Sequence, residues 1–154
     1  MYEVINYVDC THEQQLEILR LRNLDAIRKW MVNPEIISEE SHFRFIETLK
    51  GNSERLYFAI YRDGLLVGTY NLTNEGDGIW ERGIIANPST QGTGQTEIWE
   101  RQILSSLPSK IKAVSAKVKQ GNLRSIKYHK KLGYKEQSRD NGYIYFILRL
   151  KTIV

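Results

Sequence analysis

Two runs rich in aromatic and aliphatic residues, 56–61 and 65–70, flank Arg62-Asp63-Gly64. Asp-Gly between two such runs is a strong hairpin signal, so the middle of the chain is committed to an antiparallel sheet. A third strand over 79–85 follows the turn Asn74-Glu75-Gly76-Asp77-Gly78. Before the hairpin the apolar period is helical. After a first strand over 2–8, Thr11 and Gln14 form a capping box for a helix over 12–22 with Leu16, Ile18, Leu19 and Leu21 as its apolar residues. A short helix over 25–31 stops before Pro34, and Ser38 caps a third helix carrying Phe43, Ile46 and Leu49, closed by Gly51. After the hairpin the pattern is helix (93–105), strand (111–118), helix (122–131) and two strands (134–138 and 142–150) around Asp140-Asn141-Gly142. This order predicts an α/β (α+β) fold, a mixed sheet with helices on its faces.

The 154 residues suit one domain over 1–154, without repeat, linker or low-complexity tract. Twenty-two Lys and Arg against 18 Asp and Glu leave a net charge of +4, which suits an anionic small ligand and is too scattered to announce nucleic acid. The single Cys10 excludes an internal disulfide, and three His with no His-Glu-x-x-His spacing predict no metal site. There is no Gly-x-Ser-x-Gly elbow, no basic leader followed by an apolar run and no apolar stretch of membrane-spanning length, so a cytoplasmic location is expected.

Two segments carry chemistry. In 84–95 a strand (Ile84, Ile85, Ala86) runs through Asn87-Pro88-Ser89-Thr90-Gln91-Gly92-Thr93-Gly94 into a helix. Such a junction turns backbone N–H groups toward one spot at the positive end of the helix, and glycines let phosphate oxygens approach. The spacing matches neither a Walker A loop nor a dinucleotide turn, and a plain flexible turn remains open on this segment alone. In the second segment, 122–134, Asn122, Ser125 and His129 fall near one line of a helix at about 100° per residue. Tyr128 points about a third of a turn away, on the side of Leu132.

Together, Gln91-Gly92-Thr93-Gly94-Gln95-Thr96 and Asn122-x-x-Ser125-Ile126-x-x-His129-x-x-x-Gly133-Tyr134 resemble the two signature motifs of the GNAT N-acetyltransferases. The resemblance extends to the order of three N-terminal helices and seven β segments, and implies a central, largely antiparallel sheet. It implies acetyl-CoA as cosubstrate, its pyrophosphate on the amides of 91–96 and its pantetheine arm along Ile84, Ile85 and Ala86. It also implies contact of Asn122 and Ser125 with that arm, and a general acid seven residues beyond Asn122. Thr96 departs from the family's Gly or Ala. His129 stands where a Tyr is usual, with Tyr128 one residue early. His129 is the expected acid, since a reference pKa near 6.5 lies below that of a thiol near 8.5. Tyr128 is its substitute, and water the proton source if His129 only packs.

The N-terminal series Leu21-Arg22-Asn23, Arg28-x-Trp30-Met31 and Ser38-x-Glu40-x-His42-x-x-Phe45, with Glu81-Arg82-Gly83 before Pro88, is similar to the family that acetylates the 4-amino group of a UDP-linked amino sugar in pseudaminic acid synthesis. Leu21 replaces that family's common Trp. The resemblance implies Arg22 and His42 at the diphosphate and Met31 with Phe45 against uracil or the sugar methyl. Each also has a plainer reading, as a solvated helix end, a surface histidine or core. Glu81 is the candidate base that relays a proton from the incoming ammonium; the alternative is an ion pair with Arg82 or Arg101. Acetyl would pass directly in a ternary complex. Other acceptors (a small amine, a ribosomal protein N-terminus), a non-catalytic acyl-CoA-binding module and a homodimer through the last strand stay open.

Overall fold

A computed structural model describes residues 1–150. The elements run β1 (Tyr2–Asn6), α1 (His12–Arg22), α2 (Asp25–Arg28), α3 (Glu39–Leu49), β2 (Arg55–Arg62), β3 (Leu65–Gly76), β4 (Ile79–Ala86), α4 (Gln95–Ser105), β5 (Ala113–Lys119), α5 (Leu123–Leu132), β6 (Lys135–Asp140) and β7 (Tyr143–Arg149), with single 3-10 turns at Tyr7–Asp9 and Pro88–Thr90. The strands follow the order β1-β2-β3-β4-β5-β7-β6 in one sheet. The α+β class and the largely antiparallel sheet of seven strands are as expected. Backbone contacts group the chain into two compact units, Met1–Asn71 with Ile84–Trp99, and Leu72–Gly83 with the chain from Glu100 onward.

In the first unit, β1 pairs antiparallel with β2 from Tyr2↔Arg62 to Asn6↔Phe58. The expected first strand is shorter by two residues because the Asn6 side chain accepts from Val8 N and starts a 3-10 turn that buries Tyr7. The capping box of α1 and the Ser38 cap of α3 form as predicted. Ile18, Leu21, Ile46 and Leu49 from these helices bury against Ala59, Tyr61 and Leu66 of the sheet. Gly68 of β3 lies close beneath its neighbours: a Cβ there would meet Ile85 O at 2.5 Å and the Trp99 ring at 2.6 Å, so only glycine lets β3, β4 and α4 approach this far. The expected helix over 25–31 is four residues long. Past Arg28 the backbone tightens to i→i−3 bonds, Trp30 N to Ile27 O and Met31 N to Arg28 O, while the Arg28 side chain donates to the carbonyls of Asn23 and Pro34 at 3.0 Å each.

In the second unit, β4 and β5 pair in parallel over Ile79↔Ala113, Trp80↔Val114 and Glu81↔Ser115, and among the described residues no pair of that ladder lies beyond Glu81 although both strands continue. β5 pairs antiparallel with β7 from Ala113↔Arg149 to Lys119↔Tyr143, and β7 with the edge strand β6. Asn141 and Gly142 turn the last hairpin with φ of 51° and 82°, the signs a two-residue type I′ turn requires. One sheet face is core, with Trp80, Val114, Ala116, Ile144 and Phe146 all buried. Among the described residues no helix is long and apolar enough to cross a membrane, and no group of His, Cys, Asp or Glu is arranged to hold a metal ion.

Candidate active site

The Gly-bearing loop lies at the end of β4 in the first unit. Asn87 anchors it: its N–H donates to Val67 O at 2.9 Å, its Nδ2 to Leu66 O at 2.9 Å, and its Oδ1 accepts from Ser89 N at 3.0 Å. Thr93 Oγ1 donates to Thr90 O and accepts weakly, at 3.4 Å, from Gln95 N as α4 begins. Gly92 and Gly94 both take left-handed φ, 78° and 80°, with nothing within 4 Å of where a Cβ would stand. The N–H groups of Gly92, Gly94 and Thr96 donate to no acceptor among the described residues. A fixed loop with open flanks and free amides at the start of an 11-residue helix fits a pyrophosphate. Thr96 is half-buried at the first turn of α4. Ile84, Ile85 and Ala86 are likewise half-buried, past the last β4–β5 pair, so the edge of β4 that faced β5 keeps polar backbone groups for a pantetheine arm.

The second segment is placed otherwise than its stripe suggests. Asn122 caps α5 by accepting from Ser125 N at 3.3 Å, and Ser125 is half-buried. His129 is 2% exposed, stacked on Phe146 at 5.3 Å between ring centroids. Its Nδ1 donates to Ser125 O at 2.6 Å and its Nε2 accepts from Arg82 Nη2 at 2.8 Å. Burial first and the Arg82 guanidinium second push its pKa down to about 3, so the imidazole is neutral with both nitrogens in use. Behind it, Arg82 Nε meets the fully buried Glu100 Oε2 at 3.0 Å, and Tyr134 Oη accepts from Arg82 Nε at 3.2 Å while donating to Glu100 Oε2 at 3.3 Å. Burial pushes Tyr134 up to about 12. Tyr128 is half-buried and donates to Glu100 Oε1 at 2.8 Å; burial, then that carboxylate, raise its pKa well above the ordinary phenol value. Arg82, Glu100 and Tyr134 were not foreseen as a group. Trp80 and Arg82 share a face by the two-residue period of β4, which was the available signal.

This arrangement predicts an acid-labile fold. The unfolded imidazole binds its proton near pH 6.5 and the folded one only near pH 3. Across that window the unfolded state carries the extra proton, so stability is lost as the pH falls, by about 1.4 kcal/mol per pH unit at most. His42, also held below its ordinary value, adds with the same sign. Urea unfolding of wild type and His129→Gln between pH 7 and 4 should give a less stable variant with a flatter pH dependence; parallel curves would contradict the assignment.

Glu81 points to the opposite side of β4 from Arg82, is exposed, and makes no ion pair among the described residues. The alternative pairings fail for visible reasons: Arg82 is committed to Glu100, and Arg101 reaches Lys131 O at 3.5 Å. Of the acceptor residues, Arg22 Nη2 donates to Asn33 O at 2.8 Å while its Nη1 is buried without a partner among the described residues. Burial, then the Arg28 guanidinium, lower its pKa. Asn23 clamps the same loop, donating to Ile37 O at 2.8 Å and accepting from Ile37 N at 2.9 Å. Met31 is half-buried on that loop. Phe45 packs edge-on to Tyr57 with centroids 4.9 Å apart. His42 does not present its ring to a ligand: it is buried, and its Nε2 donates to Gln15 O at 2.8 Å, tying α3 to α1. A cleft of about 230 Å³ lined by Glu17, Arg20, Leu21, Leu24, Leu65, Leu66 and Asn87 includes none of these residues, so concavity alone does not select the site. Cys10 is buried with its thiol pushed up to about 11, which leaves little thiolate for covalent catalysis.

Known proteins share this fold. Acetyltransferase PseH of Campylobacter jejuni is 25% identical over 149 residues, covering 97% of this chain and 94% of that protein. The crystal structure of Campylobacter jejuni PseH in complex with acetyl coenzyme A superposes with a TM-score of 0.77 at 20% identity, covering 98% of this chain and 100% of that one. Spermidine N-acetyltransferase from Vibrio cholerae, in complex with CoA and spermine, gives 0.83 at 15% identity, covering 97% and 95%. These structural likenesses establish a shared fold. Residues 20–134 match the acetyltransferase (GNAT) family, and over that span lie the Gly92–Gly94 loop, Glu81 and the α5 motif. The protein belongs to the GNAT acetyltransferase family, whose acetyl donor is acetyl-CoA.

Proposed function

We propose that this acetyltransferase modifies the 4-amino group of a UDP-linked amino sugar for nonulosonic (pseudaminic) acid or surface-glycan synthesis in the cytoplasm, with 1–154 working as one catalytic domain. The observation that carries the acceptor class is the Arg22 guanidinium. At the end of α1, against the loop around Asn33, one of its nitrogens is buried without a partner among the described residues, and a buried cationic donor left unpaired is what an anionic ligand would satisfy. The similarity to PseH along nearly the full chain supports the same reading.

The amides of 91–96 and the open edge of Ile84, Ile85 and Ala86 would hold acetyl-CoA, with Asn122 and Ser125 beside its arm. The thioester supplies an activated acyl carbon. Glu81 takes the proton from the acceptor ammonium, directly or through water, so that the nitrogen lone pair can attack. Neither α5 ring offers a proton to the leaving thiolate. His129 has its N–H on Ser125 O, and Tyr128 has its O–H on a carboxylate that would oppose a phenolate. We therefore assign that proton to water, and to Tyr128 a positioning role on α5. Met31 and Phe45 supply the apolar contact for the sugar methyl; His42 holds α3 in place.

Thiol release from acetyl-CoA, measured with a UDP-4-amino sugar, spermidine and a panel of peptides, tests the reading. The sugar nucleotide should show the highest kcat/KM; turnover confined to peptides or polyamines would overturn the acceptor assignment.

A further inference from the structure

The sheet face opposite the Trp80–Phe146 core bears a cationic and aromatic patch beside Glu81. Lys117 lies directly opposite Tyr145 in the β5–β7 ladder, and Lys119 opposite Tyr143. The Lys117 ammonium sits 4.6 Å from the Tyr143 ring centroid and 5.9 Å from that of Tyr145. Lys117 is exposed and the two tyrosines are half-buried. Glu81 pairs with Ser115, two residues before Lys117 on β5, so Glu81 and Lys117 share this face, their backbones within about 10 Å of each other by strand spacing and rise. In the next row Lys119 and Asp140 flank Tyr143 from either side with opposite charges, whereas no salt bridge engages Lys117 among the described residues.

We infer that Lys117, seated on Tyr143 and Tyr145, is a specificity-determining subsite for the diphosphate and base of the acceptor; this rests on the sugar-nucleotide reading above. In a UDP-4-amino sugar the diphosphate is attached at the first carbon and the amine at the fourth, so one sugar ring separates them. That separation suits an amine at Glu81 and a phosphate oxygen at Lys117 across neighbouring strands. A tyrosine face gives uracil a stacking surface, and a lysine drawn over two aromatic rings is held in one region by cation–π attraction. The same charge repels polyamines, so the patch selects anionic over cationic amines.

The test compares wild type, Lys117→Met and Lys117→Arg in initial-rate kinetics with the UDP-4-amino sugar and with the corresponding methyl 4-amino glycoside, together with inhibition by UDP. Lys117→Met keeps an apolar stem on the tyrosines and removes only the charge. It should raise the KM for the sugar nucleotide and the Ki of UDP on the order of tenfold, the scale of one hydrogen bond to a charged group. It should leave kcat, the KM for acetyl-CoA and the KM for the glycoside unchanged, and Lys117→Arg should restore most of the loss. An unchanged Ki for UDP, or an equal rise for the glycoside, overturns the subsite while leaving the acceptor class standing. Wild type that acetylates other amines but not the sugar nucleotide overturns both.

Discussion

Glu100→Gln should lower the stability of the protein by about 3–5 kcal/mol, the usual effect of removing one member of a buried ion pair. Glu100 has no solvent exposure and holds three partners at once: the Arg82 guanidinium at 3.0 Å, Tyr128 Oη at 2.8 Å and Tyr134 Oη at 3.3 Å. A neutral amide leaves the Arg82 cation, itself 5% exposed, without a counter-charge in the core and forces one of the phenols to find another acceptor. For a domain of this size the expected fall in Tm is roughly 10 °C. Arg82→Met in the Glu100→Gln background should recover much of it, because an apolar side chain in place of the cation removes the uncompensated charge. The double-mutant cycle by thermal unfolding checks this. A Glu100→Gln protein as stable as wild type, or a double variant less stable than either single one, would show that the network is not what holds β4, α4 and α5 together.

The second large effect is on chemistry. Glu81→Gln should lower kcat by about a hundredfold to ten-thousandfold, the range found when a positioned general base is removed, with the KM for acetyl-CoA little changed. Glu81 is exposed and without an ion-pair partner among the described residues, so stability should move by under about 0.5 kcal/mol, as for an ordinary surface substitution. The deficit should shrink as the pH is raised, because an acceptor already present as free amine needs no base. A variant with wild-type kcat at neutral pH would remove Glu81 from the proton path.

Local signals in the sequence carried most of the architecture. The Asp63-Gly64 hairpin, the Thr11–Gln14 capping box and the Ser38 cap each depend on neighbouring residues alone, and each lies where expected. The Gly92–Gly94 loop was legible for the same reason. What escaped depends on contacts far along the chain. The Asn122–Ser125–His129 line is real, since His129 bonds to Ser125 O, yet the line turns inward. The groups that receive His129, Arg82 and Phe146, come from β4 and β7, and helical spacing says nothing of them. The inward course of His42 was more accessible: it precedes Ile46 and Leu49 by four and seven residues, both buried, which places it on the apolar stripe of α3. Arg22 reads as a ligand contact because of a resemblance, and the structure adds a local duty that it shares with Asn23, holding the loop around Asn33 and Ile37. The alternation along β4 separates Glu81 from Arg82. That separation is what makes one a candidate base and the other a core cation.

Direct transfer from acetyl-CoA to an anionic sugar amine leaves a kinetic and a stoichiometric signature. Initial rates measured with a UDP-4-amino sugar and acetyl-CoA varied together, with the N-acetylated product quantified against released thiol, address it most directly. Intersecting double-reciprocal lines and one N-acetyl group per thiol are the predicted result. Parallel lines with an acetylated enzyme intermediate, or no product from the sugar nucleotide while another amine is acetylated, would contradict it.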